Sequence, residues 1–339
     1  MITLAEAKVG MADKVDQQII DEFRRGSYLL DSLTFDNAVS PGTGGSTLAY
    51  GYIKLKTPST ASFRALNTEY TNVEAKREEL TAYCKIFGGS FKLDRVIIGT
   101  SGAVDELAFQ MSEKVKGAIN LFHYTAINGD RAANQDEFDG LDTLLTGSST
   151  EYDEGALDVS TSALLDTEYN RFLDMMDDFV SGMDGAPTMF LTNNKLATKI
   201  KGVARRAGYY SQMEDAFGRS VSMWNSIPII DLQNYYSPTL AQTIPVVPID
   251  SSGTTSLYTL AQRFRLHRMA STGTTSLYAV QIAQDGFHGI SPAGSNIITT
   301  SLPDLTAPGT IKEGDVEMVA GVVLKNSLKA GVFRNIKVQ

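Results

Sequence analysis

One stretch, residues 100–127, constrains the fold most because its apolar side chains recur at the spacing of a single long helical face. Thr100 or Ser101 can cap its N-terminal end through a hydroxyl, and Asn128-Gly129 provides a stop. About 26 residues rising by ~1.5 Å each would form a rod of roughly 39 Å, longer than the average globular helix. The sequence therefore predicts either a long core helix or a spine on which other layers pack. The apolar positions are Val104, Leu107, Met111, Val115, Ala118, Phe122 and Ala126.

The bulk composition is that of a folded chain. The 339 residues are 42% hydrophobic and 20% charged, which allows two or three domain-sized units with a real core. The apolar runs fall short of the ~18 residues that a membrane helix needs, and the N terminus lacks a signal-peptide pattern. A single cysteine, Cys84, excludes an intrachain disulfide. We expect a soluble protein made in a cytoplasm, without a membrane partner.

The charge balance argues against a dedicated nucleic-acid binder. The formal net charge is −9, whereas such proteins normally carry a concentrated basic face. The densest basic pairs, Arg24-Arg25 and Arg205-Arg206, both fall in the last turn of a predicted helix. The helix dipole favours cations there, so we prefer this explanation to phosphate binding.

The N-terminal third predicts an arm followed by a long hairpin. Residues 3–25 have a narrow apolar stripe, typical of a peripheral helix or of an arm lying on another surface. After a Gly-rich connection at 37–47, strand-like runs cover 48–55 and 80–93, the second broken at Gly88-Gly89. Most residues of such a hairpin could not reach a compact core, so a neighbouring molecule would have to cover it.

The rest of the chain alternates helix and strand. Helices are predicted from Ser162 to Gly182 and from Asn193 to Gly208, with strands at 187–192 and 227–232. This order predicts an α+β mixed sheet with packed helices. Residues 146–162 are predicted to be a surface connection. The C-terminal run 316–338 would pair with strands near 141–145.

Two further patterns have simple interpretations. The cluster Asp136, Glu137, Asp139 and Asp142 lacks the spacing of a calcium loop and is interpreted as a solvated turn. The hexapeptide Gly-Thr-Thr-Ser-Leu-Tyr occurs at 253–258 and again at 273–278, which predicts two strands of one sheet, the first in an added surface hairpin.

The sequence contains no recognisable arrangement of catalytic or metal-binding residues. The three histidines, His123, His267 and His288, are far apart in sequence, and no hydrolase, zinc-protease or phosphate-loop motif is present. Cys84 is interpreted as a buried structural thiol. We therefore predict no catalytic residue, no cofactor and no metal site. A soluble α/β hydrolase or transferase is kept as an alternative, which would need one of these histidines beside a nucleophile.

Several segments, in order along nearly the whole chain, resemble the major capsid proteins of tailed bacteriophages, which share the Hong Kong 97-type shell fold. The segments are 61–70 (Ala-Ser-Phe-Arg-Ala-Leu-Asn-Thr-Glu-Tyr), 85–95, 128–130, 137–141, 227–231, 277–280, 285–289 and 319–334. The order of these segments along the chain supports the resemblance more strongly than any one segment does alone.

The resemblance implies a division of the chain. Residues 1–36 would be the N-terminal arm, and 37–95 the extended loop that lies over the neighbouring subunit. Residues 96–154, with the spine helix, and the C-terminal strands at 304–339 would form the peripheral domain. Residues 155–303 would form the axial domain.

The resemblance also implies a function without catalysis. The chain would self-assemble into hexamers and pentamers of an icosahedral phage head, a virion capsid built in the host cytoplasm around double-stranded DNA without sequence-specific contacts. Expected partners are a separate scaffolding protein, since no long charged helical prefix is visible, a portal protein and optionally a decoration protein. Inter-subunit contacts are expected at Phe63, Arg64, Asn67, Glu69, Tyr70, Asp94 and Arg95. The alternative is an encapsulin-type nanocompartment shell.

Overall fold

The computed structural model describes residues 28–38, 47–70, 72–100, 106–153, 157–208, 211–214, 220–238, 241–250, 273–292 and 297–339. The predictions for the helix at 3–25, the pair Arg24-Arg25, the glycines at 42–45, the first hexapeptide copy and His267 lie outside these residues.

Six α-helices and seventeen strands are present in the described residues. The helices are α1 (Tyr28–Ser32), α2 (Arg95–Thr100), α3 (Glu106–Asn128), α4 (Leu141–Leu145), α5 (Ser162–Ser181) and α6 (Asn194–Ala207). The first strands are β1 (Phe35–Asn37), β2 (Ala49–Thr57), β3 (Lys76–Tyr83), β4 (Lys85–Asp94), β5 (Glu151–Tyr152), β6 (Leu157–Asp158), β7 (Met189–Thr192), β8 (Ser211–Glu214) and β9 (Ser220–Trp224). The others are β10 (Ile227–Asp231), β11 (Asn234–Ser237), β12 (Gln242–Pro245), β13 (Thr274–Val280), β14 (Phe287–Ser291), β15 (Ile298–Ser301), β16 (Ile311–Leu324) and β17 (Ala330–Lys337).

Two large sheets organise these elements. The first has five strands in the order β1-β14-β16-β15, with β4 pairing along ten residues of β16. The second has eight strands in the order β5-β17-β13-β7-β10-β9-β8, with β6 also on β17. Its β7–β10 and β17–β5 pairs are parallel and most of the others are antiparallel. The predicted α+β mixed sheet is confirmed.

The eight-stranded sheet is buried on both faces. Leu191 and Tyr278 point to a core shared with α3, α4 and the five-stranded sheet. Phe190 and Leu277, one residue earlier in each strand, point to a second core formed with α5 and α6. This alternation is the two-residue period of a strand, and it explains why β7 and β13 are buried throughout.

The long helix forms where the pattern predicts it and ends as expected at Asn128. Its C-terminal half is buried, with Phe122 and Ala126 inaccessible to solvent. The predicted cap at Thr100 is wrong, because Thr100 is the last residue of helix α2. The alternative cap, Ser101, lies outside the described residues. The side chain of Asp94 accepts a hydrogen bond from the Val96 amide at 2.8 Å, which satisfies a free donor at the start of α2.

Gly88-Gly89 does not interrupt its strand, contrary to the sequence-based prediction. The break comes at Cys84, between β3 and β4, and the glycines lie inside β4. A Cβ atom on Gly88 would lie 2.0 Å from the carbonyl oxygen of Val316. Glycine at this position therefore allows β4 and β16 to approach, and does not mark a turn.

The C-terminal strands pair differently from the prediction. Residues 141–145 form helix α4 and not a strand. β16 pairs with β4, β14 and β15 in the first sheet, whereas β17 pairs with β13, β5 and β6 in the second. The short strands β5 and β6 also correct the expectation that 146–162 is a surface connection, since Leu157 of β6 is fully buried.

Helices α5 and α6 begin and end close to the residues that the sequence predicts. Asn193 caps α6 by accepting a hydrogen bond from the Leu196 amide at 3.0 Å, and Gly208 ends it with φ 79°. α5 ends at Gly182 as expected, but Thr161 caps it instead of Ser162. The apolar side chains Phe172, Met175, Met176 and Phe179 of α5 are buried in the second core. No helix among the described residues is long and apolar enough to span a membrane.

Candidate assembly surface

A two-stranded hairpin, β2 with β3, stands apart from both large sheets. The strands pair antiparallel from Ala49 with Tyr83 to Thr57 with Lys76. Nine residues at ~3.3 Å each make an arm of about 30 Å. The predicted extended antiparallel hairpin is confirmed, with β3 rather than β4 as its second strand.

The tip of the arm, at residues 58–70 and 72–75, places large apolar side chains in solvent. Phe63 is fully exposed, and Leu66 keeps 87% of its accessible surface. Tyr70 is 60% exposed. Monomeric proteins rarely expose several large apolar side chains in one loop, and such loops usually mark an interaction surface.

The tip nevertheless has local order. The amide and hydroxyl of Thr68 both donate to the carbonyl oxygen of Ala65, forming a turn with Asn67 at φ 64°. Arg64 donates to the carbonyl oxygen of Thr68 at 3.2 Å, and its guanidinium lies 5.2 Å from the ring centroid of Tyr70. The loop is therefore pre-shaped, which lowers the entropic cost of docking it.

The seven sequence-predicted contact residues fall into two groups. Phe63, Arg64, Asn67, Glu69 and Tyr70 share the arm tip, all of them exposed. Asp94 and Arg95 lie instead at the β4–α2 junction, where the Arg95 amide donates to the carbonyl oxygen of Thr310. The fold therefore brings five of the seven together, and whether any of them contacts another subunit stays a prediction.

The base of the arm is fixed to the five-stranded sheet by residues that the sequence analysis did not single out. The Tyr50 hydroxyl donates to a carboxylate oxygen of Asp36 at 2.6 Å. The Lys325 ammonium lies 5.1 Å from the centroid of the Tyr50 ring, and the His288 ring meets it edge-on at 6.1 Å. We call Asp36, Tyr50, His288 and Lys325 the base cluster. The tyrosine hydrogen bond is the main cause that lowers the pKa of Asp36.

Cys84 completes the attachment of the arm. It is buried with Ala38, Ile290 and Val323 in a small apolar cluster beneath Tyr50 and Tyr52. Burial raises the pKa of its thiol to about 11. The expected buried structural thiol is confirmed, since a thiol with this pKa is protonated and unreactive at neutral pH.

The histidines described do not form a catalytic arrangement. His123 is enclosed in α3, where burial lowers its pKa to about 4. His288 lies in the buried strand β14, and burial is the main cause that lowers its pKa. Within the described ranges no group of three His, Cys, Asp or Glu side chains is placed to hold a metal ion.

A cavity of about 50 Å³ lies beside the arm base, against Tyr52, Tyr83 and Arg131. It is far smaller than the ~300 Å³ or more of typical ligand sites. The Arg131 guanidinium stacks 3.8 Å from the Tyr83 ring centroid, so this side chain joins the 130–140 loop to the hairpin.

The acidic cluster is only partly a solvated turn. Asp136 is exposed and Glu137 and Asp139 are half-buried, but Asp142 is buried in α4. Arg334, from β17, lies 2.7 Å from Asp142 and also pairs with Glu151. No local pattern in the sequence signals this pairing, because 192 residues separate Asp142 and Arg334.

Comparisons with known proteins identify the fold. No protein-family model and no curated protein matches the chain. Among solved structures, an encapsulin complex from Synechococcus elongatus matches with a TM-score of 0.63 at 11% identity, covering 99% of this chain and 96% of that one. The capsid of Myoviridae phage XM1 matches with a TM-score of 0.57 at 13% identity, covering 98% of each chain. The chain has the Hong Kong 97-type capsid fold.

A third structure agrees with this assignment. The capsid of a native GTA particle matches with a TM-score of 0.54 at 12% identity, covering 96% of each chain. The resemblance to tailed-phage capsid proteins inferred from short motifs is thus confirmed at the level of fold. All three matches cover nearly the full length of both chains.

Proposed function

We propose that this chain is a shell-forming structural protein, the major capsid protein of an icosahedral phage head. The observation that carries the proposal is the arm of about 30 Å, whose tip exposes Phe63, Leu66 and Tyr70 and contributes nothing to the core of its own subunit. Burial of apolar surface contributes about 25 cal/mol per Å² before ordering costs. A neighbour that covers the tip would therefore stabilise the assembly of subunits.

In this proposal the subunits form hexamers and pentamers. Residues 1–36 serve as the N-terminal arm and 37–95 as the extended loop. Residues 96–154 and 304–339 form the peripheral domain, and 155–303 the axial domain. In this division the C-terminal strands pair with both parts of the chain, β16 with β4 and β14, and β17 with β13.

The proposed partners follow from the same role. The head encloses double-stranded DNA without sequence-specific contacts, consistent with a net charge of −9. A separate scaffolding protein directs assembly in the host cytoplasm, a portal protein occupies one vertex, and a decoration protein is an optional addition. The protein has no enzymatic activity and its mature location is the virion.

The test is negative-stain electron microscopy of the purified full chain, expressed with and without its candidate scaffolding partner. Closed icosahedral shells or ring-shaped capsomers are the expected result. A chain that remains monomeric in both preparations would contradict the proposal. The arm would then have to fold back on its own subunit.

A second candidate is the shell of an encapsulin-type nanocompartment, favoured by the TM-score of 0.63 with the encapsulin structure. The contents of purified particles separate the two functions. Particles from the native host that contain double-stranded DNA support the phage head. Particles that contain one abundant protein and no DNA support the nanocompartment.

A further inference from the structure

The two helices that cover the eight-stranded sheet carry opposite charge. α5 contains five carboxylates and a single cation, Arg171. α6 contains five cations and no carboxylate. The carboxylates are Asp166, Glu168, Asp174, Asp177 and Asp178, and the cations are Lys195, Lys199, Lys201, Arg205 and Arg206.

Part of this charge is paired where the helices meet. Arg206 forms an ion pair with Asp166 and donates to the Ser162 hydroxyl at 3.0 Å. Lys199 donates to the carbonyl oxygen of Ser160, at the start of α5. Gly202 lies against Leu165. The face of α6 with positions 199, 202 and 206 therefore packs on α5, and its charges are satisfied within the subunit.

Five of the remaining charges form two outward faces, whereas Glu168 pairs with Arg171 and Lys195 lies in the first turn of α6. Asp174, Asp177 and Asp178 are exposed on α5, and we call them the acidic face. Lys201 and Arg205, one turn apart on a different side of α6 from Arg206, form the basic face. Within the residues that the structure describes, neither face takes part in a salt bridge, the Arg205 guanidinium having only a 3.4 Å contact to the backbone oxygen of Lys201.

Among the described residues, the basic face is favoured only by the helix dipole, which stabilises Arg205 in the last turn of α6, and the acidic face of α5 has no such support. Like charges three or four residues apart on one helix repel each other and cost a few tenths of a kcal/mol per pair. Two such faces of opposite sign, on two different helices, are what a contact between non-equivalent surfaces of identical chains requires.

We propose that the acidic face of α5 in one copy docks on the basic face of α6 in a second copy of this chain. This inference rests on the proposed shell function and adds a specific contact to it. A second copy fits better than nucleic acid, because the acidic face on the same layer and the net charge of −9 both repel phosphate. Such a contact selects register and orientation more than it adds affinity.

Charge reversal provides the test. Asp174→Lys with Asp178→Lys gives a chain with two basic faces, and Lys201→Glu with Arg205→Glu gives a chain with two acidic faces. Each variant alone should associate about 10- to 100-fold more weakly than the wild type, measured by sedimentation velocity over a concentration series. The loss should be largest at low salt, because salt screens surface charges.

The matched control for misfolding is to combine the two pairs of substitutions and measure whether association is restored. The chain carrying all four substitutions has exchanged faces and should associate like the wild type. An equimolar mixture of the two reversed chains should also recover association in hexamers, where the two chains can alternate around an even-numbered ring. Circular dichroism should show each variant folded, since the positions are on the surface.

Three outcomes would overturn the docking contact. The first is that the wild-type chain assembles and both reversed chains associate as tightly as it does. This result would exclude the docking contact and leave the shell function standing. The second is a loss that neither combination restores. The third is normal assembly of the Lys201→Glu, Arg205→Glu chain with weaker binding to double-stranded DNA, which would make the basic face a nucleic-acid contact. A wild-type chain that never associates contradicts both the contact and the shell function.

Discussion

The guanidinium of Arg334 lies 2.7 Å from a carboxylate oxygen of Asp142, and its Nε donates to Glu151. The Tyr278 hydroxyl donates to the same Asp142 oxygen at 3.1 Å. All three charged side chains are more than nine-tenths buried. This network ties β17 to α4, β5 and β13 in the interior of the subunit.

Replacement of Arg334 should be strongly destabilising. Arg334→Met leaves two carboxylates buried without their cation, which should cost about 3–5 kcal/mol in the free energy of unfolding. The measurement is urea unfolding of the unassembled subunit. Lys337→Met is the matched control on the same strand, since its pair with Asp158 is one-third exposed and worth at most about 1 kcal/mol. Equal losses for the two variants would contradict a buried network.

Adjacent glycines in β4 should differ sharply in their tolerance of a methyl group. Gly88→Ala places a Cβ 2.0 Å from the backbone of Val316, so strands β4 and β16 must separate, at a cost of about 2–4 kcal/mol. Gly89→Ala meets only the flexible end of Lys114, at 3.4 Å, and should change the unfolding free energy by less than about 1 kcal/mol. Thermal unfolding of the two variants checks the difference. A similar melting temperature for both would mean that β4 does not approach β16 at Gly88.

Tyr50→Phe should loosen the base of the arm. It removes the hydrogen bond to Asp36 and should destabilise by about 1 kcal/mol at neutral pH. Faster amide exchange is expected in β2 and β3, with no change in β13. Because the tyrosine lowers the pKa of Asp36, its contribution is present above the ordinary pKa of an aspartate and is lost as the pH falls through the lowered one. The difference between variant and wild type should therefore narrow in acid. A pH-independent difference would contradict this origin.

His123 should make the subunit sensitive to acid. Its pKa is about 4 when folded, against 6.5 as the ordinary value, because burial disfavours the charged ring. A depressed pKa means that stability is fully present above pH 6.5 and declines as the pH falls toward 4. The slope for one proton is up to about 1.4 kcal/mol per pH unit. Urea unfolding of the His123→Phe variant across this range should show a flatter profile, and an unchanged slope would exclude His123 as the cause.

The arm tip should matter for assembly and not for folding. Phe63→Ser removes a fully exposed side chain, so the unfolding free energy of the subunit should change by no more than about 0.5 kcal/mol. Under the proposed function, the same variant should reduce the yield of shells seen by electron microscopy. Thr60→Ser, on the same exposed loop, is the control. Normal shells from Phe63→Ser would remove the tip from the inter-subunit contacts.

Local signals in the sequence predict local structure well here. Asn193 and Gly208 bound α6 because a capping side chain and a left-handed glycine act on their own helix ends. The hairpin and the long helix likewise follow from periodic patterns within a single segment. The five tip residues were found through the motif at 61–70, which the family resemblance supplied.

The sequence did not predict the contacts between residues that are far apart in the chain. Asp142 looks like a member of a solvated cluster until Arg334, 192 residues away, is brought beside it. Gly88 looks like a strand breaker until Val316 approaches its backbone. The base cluster joins residues from four separate segments, so no spacing rule within one segment reveals it.

The order in which the strands occur in the chain has a consequence for biosynthesis. β16 lies between β14 and β15 in the first sheet, and β17 lies between β13 and β5 in the second. Translation delivers these strands after every other element of both sheets. Neither sheet can complete its strand pairing while the nascent chain lacks these two strands. Strand pairs this distant in sequence also form slowly. A subunit should therefore complete its fold only after synthesis has passed residue 337, which delays the core until the exposed arm has already been made.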